Sequence, residues 1–301
     1  NKVVGYSFEK LEFLKKVVVP IMESAEAGKT GATLSKDKKV PGGIIMYGRS
    51  GSGKYFMADS LLEHLDIKAK KADLPINTMK VSAEWWKGDT RENIDALKNA
   101  FETARENGKK GAHTVILIDR MNELVTAENA ENLKNEFVAQ TRNPQKDKLT
   151  WIGTIDNVRE LPQAFFRPKR TNFFVQFDKT KSEPESLALY QHFVANTNRE
   201  ALYDPKYILD YTRNSDIPIT PKKIKQIVTF ADDELKMSED YISKEKGIYK
   251  APLYNMQLMM GVDYVAKYNK NVVEKALPAP QATYAPKELF VVEHDPFHEN
   301  V

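Results

Sequence analysis

Gly48-Arg49-Ser50-Gly51-Ser52-Gly53-Lys54-Tyr55 follows the apolar run Ile44-Ile45-Met46-Tyr47 and precedes the helical pattern Phe56-Met57-Ala58-Asp59-Ser60-Leu61-Leu62. Strand, glycine-rich turn and helix in that order form a phosphate-binding loop, and the match holds at every position but the last. Glycines at 48, 51 and 53 let successive backbone N–H groups turn inward around a polyphosphate, and the helix N-terminus adds a favourable dipole. Gly48, Ser50, Gly51, Ser52, Gly53 and Lys54 are thus candidate nucleotide-binding residues, with Lys54 reaching the outer phosphates. The eighth position calls for a Ser or Thr hydroxyl on the magnesium that bridges those phosphates. Tyr55 stands there, and its oxygen cannot take that place unless backbone or metal moves.

A second nucleotide-site element is a buried strand that delivers a carboxylate beside the metal. Val115-Ile116-Leu117-Ile118-Asp119 fits, making Asp119 the candidate metal and catalytic carboxylate. Position 120 is Arg, a cation that cannot act as a general base. Asn122 and Glu123 lie nearby.

Further strands are expected at 78–81, 113–119, 149–154 and 173–177, separated by helical patterns such as Arg91 to Arg105 and Ala130 to Gln140. This alternation predicts an α/β fold, a doubly wound parallel sheet with its ligand site at the strand C-termini. Beyond Asp178 only helical patterns follow: Pro184 to Asn196, Pro205 to Tyr211, Pro221 to Leu235 and Tyr254 to Tyr268. Residues 1–180 therefore read as a large nucleotide-binding domain and 181–270 as a small all-α domain. Residues 271–301, with Pro278, Pro280, Pro286 and Pro296, read as an extended tail. Ahead of the loop, Phe8 to Val19 carries helical spacing that Pro20 is expected to end.

The 301 residues carry a formal net charge of +3 with Lys and Glu interspersed, so nothing in the charge supports a nucleic-acid partner. Zero cysteines exclude disulfides, cysteine–zinc sites and thiol nucleophiles. No apolar run reaches the roughly 18 residues of a membrane span. Asn1 in place of an initiator Met fits a processed chain or a piece of a longer one, with room for an anchor or domain ahead of it. His294 and His298 are the only imidazoles in the tail, and Pro296 breaks the helix that would put them on one face, which argues against a metal site there.

With both elements in hand, the chain resembles the AAA+ ATPases, and among them the classical AAA branch, over roughly Val4 to Tyr268. The resemblance implies a phosphate-loop sheet domain followed by a helical lid, ATP or ADP with Mg²⁺ as cofactor, neighbouring AAA+ subunits as partners and a polypeptide as substrate. It implies that Val4-Gly5 packs against adenine. Lys80 to Gly88 looks like the strand and first pore loop, in which Trp86, flanked by Lys87 and Gly88, would grip a threaded polypeptide. The segment Leu161 to Arg170 is similar to that carrying the family's arginine fingers, which assigns Arg167 and Arg170 to the neighbouring subunit's nucleotide. The first sensor falls on Ile155, Asp156 or Asn157. Thr220 and Pro221 start a lid helix, with Lys222 or Lys223 a candidate second sensor, and the methionines of Met256 to Met260 are expected in the core.

Tyr55, Arg120 and the indistinct sensor all fall on the hydrolytic machinery, whereas the residues facing neighbours are present. The expectation is a degenerate subunit of a hetero-oligomeric ring that remodels or threads proteins, binding nucleotide with little hydrolysis. Relatives of the membrane-anchored AAA proteases are one home for it; the compartment, cytosol or organelle, is open. Two alternatives stand beside it: an active ATPase in which Glu123 or another carboxylate supplies the missing group, and a scaffold that has lost nucleotide altogether.

Overall fold

The computed structural model describes residues 5–6, 11–31, 40–81, 90–126, 131–167, 169–177, 183–215, 220–239 and 250–273. They fall into two compact units, one of residues 11–50 and 54–177, the other of 5–6, 51–53 and 183–273.

The first unit is built on five parallel strands: β1 (Gly43–Tyr47), β2 (Ile76–Val81), β3 (His113–Ile118), β4 (Leu149–Ile155) and β5 (Phe173–Gln176), ordered β2-β3-β4-β1-β5. Every residue of β3 and β4 is buried, as expected for central parallel strands covered on both faces. This is the α/β parallel sheet that the alternating pattern implies. Helices α2 (Lys54–Ala72), α3 (Thr90–Lys109), α4 (Met121–Thr126) and α5 (Glu131–Gln140) occupy the crossovers. Under α3 and α5 lies a ring cluster in which Phe137 meets Trp151 at 5.6 Å and Phe165 at 5.1 Å between centroids. Edge-on and tilted packing of this kind adds to the area term.

Helix α1 (Val19–Thr30) departs from expectation, because Pro20 does not end the helical run. Leu14–Val18 forms a π-helical turn leading straight into α1, and the Val19 N–H bonds to the Leu14 carbonyl. A proline has no N–H and its ring collides with the carbonyl four residues back; widening the preceding turn by one residue removes that collision. Pro20 then sits in the first turn of α1, where no donor is missed.

The second unit contains α6 (Glu183–Ala195), α7 (Pro205–Asn214), α8 (Pro221–Glu239) and α9 (Lys250–Val273). Its core includes Tyr190, Ile224, Leu235, Tyr254, Leu258 and Val262. Helix α9 buries Tyr254, Leu258, Val262 and Val265, spaced three and four apart. Met256 and Met260 fall two positions off that stripe and are about half exposed, at 50% and 49%, so they are not the core residues expected.

Candidate functional site

The order β3-β4-β1 places the C-terminal ends of three adjacent strands together, and each delivers part of the site. From β1 the chain turns at Gly48, whose N–H bonds to the Ile155 carbonyl at the end of β4 over 3.2 Å. Helix α2 begins at Lys54. Between them Gly51 and Gly53 hold φ of +81° and +94°, conformations that a side chain strains.

A Cβ at Gly53 would also lie 1.7 Å from the Tyr6 hydroxyl, and one at Gly51 would meet the Lys222 side chain at 2.7 Å. Residues 6, 51–53 and 222 belong to one unit. Within it the buried Tyr6 hydroxyl donates to the Ser52 carbonyl at 2.7 Å, and the Lys222 N–H approaches the Gly51 carbonyl at 3.3 Å. The Ser52 hydroxyl is buried and has no hydrogen-bond partner. An orphaned buried donor beside positive-φ glycines suits a phosphate oxygen, so residues 51–53 fit the phosphates of a nucleotide. Ser50 is exposed at the tip.

Lys54 is 7% exposed, and its ammonium donates to the Gly48 carbonyl, to the Arg49 carbonyl at 3.0 Å and to Asp156 Oδ1 at 2.9 Å. A phosphate would have to exchange with these acceptors. Tyr55, one residue into α2, is 47% exposed.

Asp119 follows β3, and one hydroxyl organises it. Thr154 Oγ1 donates to Asp119 Oδ1 at 2.5 Å and accepts from the Arg120 N–H at 2.9 Å. Arg120 holds φ +53°. Its guanidinium lies 3.9 Å from Asp119 Oδ2 and 3.4 Å from Glu123 Oε1. The position after the acid thus holds a cation paired with both nearby carboxylates.

Of the three sensor candidates, Ile155 is buried and contributes its carbonyl to Gly48, while Asn157 caps a short 3₁₀ turn by accepting from the Arg159 N–H at 3.1 Å. Asp156 is the one that reaches Lys54. Thr154 was missed in the sequence. Its only signal is a hydroxyl at the last but one position of an otherwise apolar strand end.

The two arginines differ. Arg167 is exposed after the 3₁₀ turn Gln163–Phe166. Arg170 is 6% exposed, and its guanidinium donates to the Ala164 carbonyl and to the Val138 carbonyl at 2.8 Å, over the Phe165 ring. Burial, with the charges of Arg167 and Arg142, lowers its pKa from the usual guanidinium value. In this structure Arg170 is spent on its own chain and does not project as a finger, because the end of α5 turns toward it the Val138 carbonyl, which among the described residues otherwise accepts only from Thr141 Oγ1 at 3.4 Å.

Gly5, at φ +75°, packs against Leu189 of its own unit, where a Cβ would come within 2.6 Å of the side chain. Thr220 caps α8, its hydroxyl 3.4 Å from the Lys223 N–H. Val4, Trp86, Lys87 and Gly88, the residues of the tail after 273 and its two histidines lie outside the described residues. Among the described residues no group of three or more His, Cys, Asp or Glu is arranged to hold a metal ion, and no helix is long and apolar enough to cross a membrane.

Residues 44–179 match the model of the ATPase family associated with various cellular activities (AAA). Cell division protein C of Sulfolobus acidocaldarius is 25% identical over 160 residues, which make up 50% of this chain and 41% of that protein. An AAA ATPase forming ring-shaped complexes, from Bifidobacterium animalis subsp. lactis, is 18% identical over 234 residues, 75% of this chain and 42% of the relative. The chain thus spans well under half the length of these relatives. The crystal structure of the FIGL-1 AAA domain in complex with ADP matches with a TM-score of 0.60 at 15% identity, covering 90% of this chain and 88% of that one, a likeness of fold.

Proposed function

We propose, for a chain that belongs to the AAA+ superfamily in its classical AAA branch, the role of a nucleotide-binding ring subunit with little hydrolysis of its own. In this role it sits beside active AAA+ subunits in a ring that remodels or threads polypeptides, and presents Arg167 to a neighbour's nucleotide. Arg120 carries the reading. Hydrolysis needs a carboxylate positioned to take a proton from the attacking water. Here the residue after Asp119 is a guanidinium, and Glu123, the nearest substitute, is engaged by it. Relatives described as forming ring-shaped complexes support the assembly.

The chain's own residues divide the work as follows. The backbone of Gly51 to Gly53 and the Ser52 hydroxyl hold phosphate oxygens. Lys54 leaves Asp156 to reach them, and Asp119 is kept in place by Thr154. ATP and ADP are the ligands this cradle suits.

The test is nucleotide binding and turnover by the purified chain. Binding of a fluorescent ADP analogue that disappears in Lys54→Ala, with turnover at least a hundredfold below an ordinary rate of about 1 s⁻¹, is the expected result. Turnover at an ordinary rate that is abolished by Glu123→Gln would instead identify an active enzyme with a displaced carboxylate.

A further inference from the structure

The phosphate cradle fits its ligand, but the residues that should hold magnesium do not, and the misfit has one consistent form. A divalent ion beside a polyphosphate needs a short hydroxyl from the loop and a carboxylate with lone pairs to spare. The hydroxyl position is Tyr55, half-exposed at the start of α2. The carboxylate accepts the Thr154 hydroxyl on Oδ1, and the Arg120 guanidinium stands 3.9 Å from Oδ2, an ion pair beyond hydrogen-bond reach. The next acid, Glu123, is paired with that same guanidinium. Arg120 therefore brings positive charge to the place where a metal would bring it, and repels a metal that arrives.

We infer that this site binds nucleoside polyphosphate without a divalent cation, with Arg120 as the built-in counter-charge to Asp119. The inference rests on the nucleotide-binding reading above. The left-handed backbone at Arg120, φ +53°, fits the assignment. Its N–H is tied to Thr154 Oγ1, the same hydroxyl that donates to Asp119, so acid and cation are held by one side chain of β4. No magnesium-coordination step is then available to this chain, and metal-free nucleotide occupancy does not depend on the cation concentration around it.

The experiment titrates the chain with a fluorescent ADP or ATP analogue in excess Mg²⁺ and again in EDTA. The same is done with Tyr55→Thr/Arg120→Ala, and Mn²⁺ paramagnetic resonance reports metal in each complex. The affinity of the unaltered chain is expected to agree within threefold in the two buffers, with no bound Mn²⁺ signal. The double variant should bind at least tenfold tighter with Mg²⁺ and acquire that signal. Tenfold or greater tightening of the unaltered chain by Mg²⁺ would overturn the inference and leave nucleotide binding standing. A double variant that stays indifferent to Mg²⁺ would overturn the assignment to Tyr55 and Arg120. Absence of binding in both buffers would overturn the nucleotide reading, and this inference with it.

Discussion

Arg167 and Arg170 lie three residues apart in sequence, yet removing one should destabilise the fold while removing the other should alter only a neighbour. Arg170 donates two charge-assisted hydrogen bonds to the Ala164 and Val138 carbonyls. Each is worth about 1.5–3 kcal/mol, or roughly 3–6 together. Against this stands the cost of keeping a guanidinium dehydrated, with its Nε lacking a partner and with Arg167 and Arg142 close enough to repel it. The balance for Arg170→Ala is a loss of about 2–4 kcal/mol, since the part-buried Ala164 carbonyl loses its side-chain donor and Val138 keeps only the long contact from Thr141 Oγ1. Denaturant unfolding followed by tryptophan fluorescence suits the measurement, because Trp151 belongs to the ring cluster that Phe165 shares with Arg170. Arg170→Lys should recover little of the loss, as an ammonium cannot fork to two carbonyls. Arg167→Ala, at an exposed site, should change stability by no more than about 0.5 kcal/mol. Within an assembled ring it should lower the neighbour's turnover by about 10³-fold or more, the size of an arginine-finger effect. An Arg170→Ala chain of undiminished stability would refute the structural reasoning, and an unaffected neighbour in the Arg167→Ala ring would refute the finger.

Two other outcomes follow from buried groups. His113 is buried against Thr150 Oγ1 at 3.0 Å, and burial, aided by the charge of Lys148, pushes its pKa from 6.5 down to about 4. Between those values the unfolded chain binds a proton that the folded chain refuses, so stability falls as pH falls. The histidine's share is about 2 kcal/mol lost from pH 7.5 to pH 5, which denaturant titrations of the chain and of His113→Gln at both pH values would read as a shallower slope in the variant. Gly53→Ala should cost about 2–3 kcal/mol, combining the strain of φ +94° with a Cβ 1.7 Å from the Tyr6 hydroxyl. Adding Tyr6→Ala should give a double variant less destabilised than the sum of the two, the coupling being read from a double-mutant cycle.

The fold and the centre of the site were legible because both rest on local rules. A buried strand followed by a glycine-rich turn and a helix is written in contiguous residues, as is an apolar strand ending in Asp119. Part of what escaped is non-local. Thr154 organises Asp119 only because β4 lies beside β3, and no spacing along the chain records that adjacency. Arg170 resembles a projecting finger until the end of α5 is known to turn the Val138 carbonyl toward it. The helical run through Pro20 defies a sound rule by a local device, the π turn, that leaves no mark in residue types. The methionines of α9 were misjudged by composition, since the stripe that packs is set by the phase of Tyr254, Leu258 and Val262.

The pairing of charges ties these observations to the proposed role. In a site poised for chemistry, groups that meet the ligand are held ready for it, and binding supplies their missing partners. Here Lys54 is paired with Asp156, Asp119 with Thr154 and Arg120, and Glu123 with Arg120. Binding at Lys54 must therefore exchange one set of partners for another, and an exchange returns far less free energy than satisfying a bare group. A loop in this condition keeps its shape with or without nucleotide, at the cost of weak affinity. That combination suits a subunit whose site stabilises a ring position, and it would be a defect in one that must bind, hydrolyse and release in a cycle. It also makes the Lys54–Asp156 pair a second control on affinity. Asp156→Asn, by removing the competing charge, should tighten nucleotide binding by about two- to fivefold, on the scale of one partly exposed ion pair at up to about 1 kcal/mol. Weaker binding in that variant, measured by the same fluorescent titration, would mean that Asp156 positions Lys54 for the phosphate instead of competing for it.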